Sequence, residues 1–212
     1  MNTRLAQIIS FVFHPLLMPT LVLGLLFFIT PHAVGVDVFS DTTRLMLLGF
    51  VSMITFVVPS LCIYYLYRGG YIRTLQMDSL PDRRLPYLLV TLLYGSAAYF
   101  FGKRLGALSE IAPQIGIILG SIACSIALVA VISWHWKISA HSVGTGGSIG
   151  MVAGIIIKLG QPQLFHSLLW LILASGWVAG ARLQLGAHTP LQIWTGLLLG
   201  FCVSIVTVWF FL

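Results

Sequence analysis

Apolar residues run along this chain in long blocks, and polar residues collect in the gaps between them. A helix needs roughly 20 mostly apolar residues to cross a bilayer. Blocks of that kind lie at Leu5–Thr30, Arg44–Tyr67, Pro86–Gly102, Ile111–Trp134, Ser139–Ile157, Phe165–Ala181 and Pro190–Leu212. The pattern predicts an all-α, polytopic membrane helix bundle of about six to seven transmembrane helices, a single integral membrane domain over residues 1–212. The gaps are short, which favours antiparallel neighbours in one bundle. Pro15 and Pro19 interrupt the first block, so a kink or a partly re-entrant course is expected there. Met1–Arg4 followed by an apolar run has the outline of a signal peptide. No small-residue cleavage site follows it, so a retained first span is expected. In the fifth block Gly146, Gly150 and Gly154 recur every four residues, which puts them on one helix face and lets another helix come close.

Composition supports the same solvent. Of 212 residues, 58% are hydrophobic and 8% charged, and the mean hydropathy is +1.01. Soluble domains carry roughly 25% charged residues, so a water-soluble fold is excluded and lipid is the natural surrounding. The formal net charge of +6 suits anionic headgroups or an anionic substrate. The basic residues are scattered between apolar runs, so no nucleic-acid partner is expected. Cys62, Cys124 and Cys202 lie inside apolar blocks and read as packing residues, without disulfide or metal spacing.

Counting crossings brings three distant segments to one membrane face: Arg68–Leu85, Trp136–His141 and Arg182–Thr189. Together they carry Arg73, Arg83, Arg84, Lys137, Ser139, His141, Arg182 and His188. Ionisable residues at membrane depth are costly, which makes such a group a functional hypothesis. Several Arg and Lys side chains suit phosphate, Arg with bidentate geometry. Two histidines suit nucleophilic and acid–base roles. Neither a carboxylate cluster nor a zinc-type Cys/His spacing accompanies them, so the set reads as phosphate chemistry without a metal or other cofactor. Arg68 and Arg73 read better as topology-fixing charges, and Trp134 and Trp136 as interface aromatics. His14, His32, His135 and His166 belong to no motif; His14 beside Pro15 hints at a special site, but a buried hydrogen bond explains it as well.

Three stretches carry a family resemblance. Ala181-Arg182-Leu-Gln-Leu-Gly-Ala-His188-Thr-Pro-Leu-Gln192 resembles a motif of Ser-Arg, five residues, His, three residues, Asp. Ile138-Ser139-Ala140-His141 resembles Pro-Ser-Gly-His. Gln76 to Pro86, with Arg83 and Arg84, is similar to Lys, six residues, Arg-Pro, but lacks the lysine. In chain order, 76–86, then 138–141, then 181–192, and on one side, they resemble the type-2 phosphatidic acid phosphatase family, the membrane-embedded lipid phosphatases, over residues 73–212. The resemblance implies that His188 attacks phosphorus to give a phospho-histidine and that His141 protonates the leaving oxygen. It also implies that Arg182 and Arg83 or Arg84 hold the phosphate, with the Ser139 hydroxyl and nearby backbone N–H groups at a helix start. Lys137 is our candidate for the missing lysine. Gln192 stands where the family has Asp, able to accept a bond from the nucleophilic histidine but bringing no charge.

Gln192 has a second reading. Thr189-Pro190-Leu191-Gln192 fits a capping box with Pro at the first helical position, and one side chain can serve both roles. The expectations are a lipid phosphate or pyrophosphate phosphatase of a bacterial inner membrane, its site toward the periplasm as in most of that family. The alternative is a non-catalytic lipid-phosphate binding or transport protein that keeps the anion pocket, favoured by Gln192 and the missing lysine. The sequence leaves the particular lipid and the oligomeric state open.

Overall fold

Capping residues set the helix starts that matter most. In the computed structural model, which describes residues 1–212, Ser79 accepts the Asp82 N–H ahead of α5 (Leu80–Tyr99), and Ser139 accepts the Ser142 N–H ahead of α8 (Ala140–Leu159). Thr189 and Gln192 form a reciprocal capping box ahead of α10 (Pro190–Phe211), with Pro190 at the first helical position. The chain is all helical, with no strands. Six helices are long and apolar enough to cross a membrane: Asp41–Arg68, Leu80–Arg104, Pro113–Ile132, Ala140–Leu159, Pro162–Gln184 and Pro190–Phe211. The protein is a multi-pass membrane protein. Large apolar side chains such as Met46, Tyr65, Ile157 and Phe210 stand outward on these helices, where lipid is their solvent.

The first apolar block, expected to be kinked or partly re-entrant at Pro15 and Pro19, is divided into two helices. It folds as α1 (Thr3–Val12) and α2 (Met18–Ile29), broken at Phe13–Leu17 by a turn in which the Leu17 N–H reaches the His14 carbonyl at 2.8 Å. Pro15 and Pro19 cannot donate backbone hydrogen bonds, which is why the turn falls here. α1 packs against α9 (Phe165–Gln184), and α2 packs against α3 (Asp41–Ser52) and α8.

Two long helices contain a wide turn. α3 passes through a π-helical turn at Met53–Val57 into α4 (Val58–Arg68), and α5 ends in another at Phe100–Arg104, ahead of the short α6 (Ala107–Ile111). Each i→i+5 turn displaces backbone groups from the regular ladder. At the first, the buried Tyr94 hydroxyl donates to the Thr55 carbonyl at 2.6 Å, tying α5 to the α3–α4 helix.

The closest helix pair is α8 with α10. A Cβ added to Gly150 would lie 2.5 Å from the Phe201 carbonyl oxygen, and one added to Gly196 would lie 2.7 Å from the Ser139 carbonyl oxygen. Gly146 meets the Leu197 backbone and Gly200 the Val143 carbonyl in the same way. The glycine face read from the sequence thus packs on α10 at Leu197, Phe201 and Val208, while Gly196 and Gly200 of α10 admit the α8 backbone at Ser139 and Val143, as small residues do between membrane helices. At the top of this seam the Ser139 N–H donates to the Gln192 carbonyl at 3.4 Å. α7 (Pro113–Ile132) lines the other side of the interior through Ile115, Ile118 and Leu119.

Replacing Gly200 with Val should cost about 1–3 kcal/mol or more by overpacking. Gly95, on α5 with open space at its Cβ position, should tolerate Ala and gain about 0.5–1 kcal/mol from helix propensity. Thermal unfolding of the two variants in detergent micelles checks both signs.

Candidate functional site

The starts of α5, α8 and α10 and the end of α9 converge on one cavity of about 350 Å³. Arg83, His141, Arg182 and His188 all line it. So do Ser10, His14 and Tyr87, which belong to no sequence motif. Below the polar groups the walls are apolar, with Val22, Val90, Ile118, Ile122 and Met151 reaching toward the middle of the bundle. Met151 lies ten residues beyond His141 on α8, about 15 Å deeper at 1.5 Å per residue. A polar head and an apolar slot therefore share one space.

Arg83 is 4% exposed and serves as a strut. Its Nε donates to the Met77 carbonyl at 2.8 Å and its Nη1 to the Ile138 carbonyl at 3.0 Å, joining the loop before α5 to the start of α8. Met77 takes a left-handed backbone (φ 50°), which an unbranched side chain tolerates better than a β-branched one. The neighbouring Asp82 carboxylate faces away from this job: it accepts the Arg73 N–H and the Ser79 hydroxyl. Arg182 sends Nη1 to the Ser10 hydroxyl at 3.4 Å, and its Nε is buried with no partner. The ion pairs in the molecule are Arg44–Asp41 and Lys137–Asp78, so neither cavity arginine has a carboxylate. Buried positive charge without a counter-ion is costly, and an anion in the cavity would offset it.

His188 has a defined tautomer. Gln192 Oε1 lies 3.1 Å from the Thr189 N–H, an obligate donor, so that atom is the amide oxygen. The same oxygen lies 3.2 Å from His188 Nδ1, which must therefore carry the proton. Nε2 is left with its lone pair. Burial, then Arg83, Arg182 and Lys137, hold the His188 pKa down at about 4, against a smaller opposing effect of the Gln192 bond. The ring is neutral at pH 7. Because the folded ring resists a proton that the unfolded chain takes near pH 6.5, it stabilises the fold above that pH. That contribution is withdrawn as pH falls toward 4.

His141 is tied differently. Its Nε2 lies 3.0 Å from the Ser10 carbonyl, which only accepts, so the neutral ring has its proton there and a bare Nδ1. A proton for a leaving group must come from a protonated Nδ1, or from Nε2 once the Ser10 contact opens. Ser139 is fully buried; its hydroxyl caps α8 and accepts from the Ser142 hydroxyl at 2.9 Å, outside the cavity lining. Arg84, the neighbour of Arg83, stacks its guanidinium over Trp134 at 5.0 Å and points out of the cavity. Lys137 sits 3.7 Å from Asp78 and does not line the cavity. Of the two arginines left open by the sequence, Arg83 is the one at the site, and Gln192 both caps α10 and orients His188. No three His, Cys, Asp or Glu side chains converge with metal-binding geometry.

Only His14 among the missed residues carried a signal, its place beside a helix-breaking Pro15. Ser10 and Tyr87 carried none, because an ordinary serine and tyrosine within apolar runs read as packing residues. No protein-family model matches the chain, and neither curated proteins nor solved structures give a significant match.

Proposed function

We propose that the protein is a membrane-embedded phosphatase acting on a lipid phosphate or pyrophosphate, in the manner of the type-2 phosphatidic acid phosphatases. The observation that carries this reading is the pair of carboxylate-free arginines, Arg83 and Arg182, in one cavity with a histidine whose Nε2 holds a lone pair. The apolar slot below them favours a substrate with a lipid tail. A bacterial inner membrane, with the cavity open to the periplasm, is the setting this reading implies.

In the first step the His188 Nε2 lone pair bonds to phosphorus as the bond to the leaving oxygen breaks. Arg83 and Arg182 hold the non-bridging oxygens. The leaving oxygen takes a proton from the protonated form of His141. In the second step water attacks phosphorus, the N–P bond breaks, the proton from water returns to His141, and phosphate leaves with the His188 Nε2 restored. Nδ1 keeps its proton on Gln192 throughout, so the attacking nitrogen stays defined. A neutral amide offers the imidazolium no counter-charge, which favours slow turnover. The second reading, a lipid-phosphate binding or transport protein, draws on that neutral amide and on the His141 Nε2 held by Ser10.

Purified protein should release phosphate from a panel of lipid phosphates and diphosphates without added metal. His188→Ala should lower the rate by about 10³-fold or more. Wild type and variant equally silent, with wild type still binding a lipid phosphate, would establish the binder instead. Gln192→Asp supplies the missing charge at a position where Asp also suits a helix start. It should raise kcat by about tenfold or more, well inside the ~10⁴-fold span between Asp and its amide in a comparable triad. A histidine-labelled NMR titration in micelles should show His188 changing charge near pH 4, and a midpoint near 6.5 would contradict the burial described above.

A further inference from the structure

The break between α1 and α2 places a third histidine in the cavity, and the phosphate chemistry above leaves it unused. His14 occupies the turn at Phe13–Leu17, and Pro15 after it keeps the chain from continuing as helix. Ser10, four residues earlier, binds both His141 and Arg182, so this turn is tied to two groups of the site. The His14 ring stands edge-on to His141, with centroids 5.6 Å apart and planes at 81°. Its Nδ1 accepts the Leu16 N–H at 3.3 Å. An atom that accepts has no proton, so the neutral ring carries its hydrogen on Nε2. No protein acceptor takes that N–H, and the ring lines the same cavity as Arg182 and His188.

We propose that His14 is a substrate-binding residue: its neutral Nε2–H donates to a phosphate oxygen held by Arg83 and Arg182. The inference rests on the phosphate reading of the cavity. The Leu16 bond would be lost if Nδ1 took a proton, so His14 serves as an uncharged donor and not as the acid. It adds a directed hydrogen bond without adding a third positive charge beside two arginines. Arg182, which lines the same cavity, also holds a donor without an oxygen, its buried Nε. The N-terminal segment thereby becomes a wall of the binding site.

The test uses the full chain in detergent micelles, with dodecyl phosphate and inorganic phosphate as probes in titration calorimetry. His14→Phe keeps a ring and removes the donor. His14→Gln places an amide N–H near the position of Nε2. His14→Phe should weaken dodecyl phosphate about tenfold, the worth of one hydrogen bond to a charged group. His14→Gln should stay within about threefold of wild type, and neither should lower the melting temperature by more than about 2 °C. If His14→Phe binds as wild type while Arg182→Ala loses binding, the role of His14 is refuted and the phosphate reading stands. If wild type binds neither probe, the phosphate reading fails and takes this inference with it. Equal loss in His14→Phe and His14→Gln, with a matching fall in melting temperature, would make the residue structural and overturn the proposal.

Discussion

Everything at the polar end of this bundle hangs on the contact between the backbones of α8 and α10. Four glycines, Gly146 and Gly150 on one helix and Gly196 and Gly200 on the other, remove the side chains that would hold the axes apart. Between membrane helices there is no water to expel, so close van der Waals contact is a main source of attraction. The contact fixes more than stability. His141 lies on the first turn of α8 and His188 two residues before α10. Seating the two helix starts side by side, with Ser139 bonded to the Gln192 backbone, sets the spacing of the two rings. A helix pair separated by ordinary side chains would carry the same residues at a different spacing.

A second constraint is electrostatic. Arg83 and Arg182 are placed by uncharged partners: two backbone carbonyls for the first and a serine hydroxyl for the second. The acids that might have neutralised them are used elsewhere, Asp82 to close the loop before α5 and Asp78 on Lys137. The protein thus keeps positive potential inside a mostly apolar enclosure, where each interaction with an anion is stronger than in water. Directionality comes from the same economy of charge: carbonyl acceptors aim the guanidinium without cancelling it.

The spans were legible because lipid imposes a simple rule on composition, and the six long helices fall where the apolar blocks lie. The glycine repeat was legible for a similar reason, since a four-residue period names a helix face. The glycines of α10 were not, because Gly196 and Gly200 gain meaning only when α10 is seen against α8. The choice between Arg83 and Arg84 was hidden for a geometric reason. Consecutive residues on a helix point about 100° apart, and only tertiary contacts decide that Arg83 faces Ile138 while Arg84 lies on Trp134. The first block was harder still. Two prolines announced a disturbance but not two separate helices, and nothing local told that Ser10 would meet residues more than 130 positions away.

The double use of Gln192 narrows what this position can become. Its one amide oxygen closes the first turn of α10 and also decides which nitrogen of His188 is bare. Most of the amino-acid alphabet is thereby closed at 192: an apolar residue would fray the helix and free the ring in one stroke. The acceptable letters are those with an oxygen at the right reach. Mutational drift here is confined to a corridor in which folding and chemistry succeed or fail together, and neither can be tuned without moving the other.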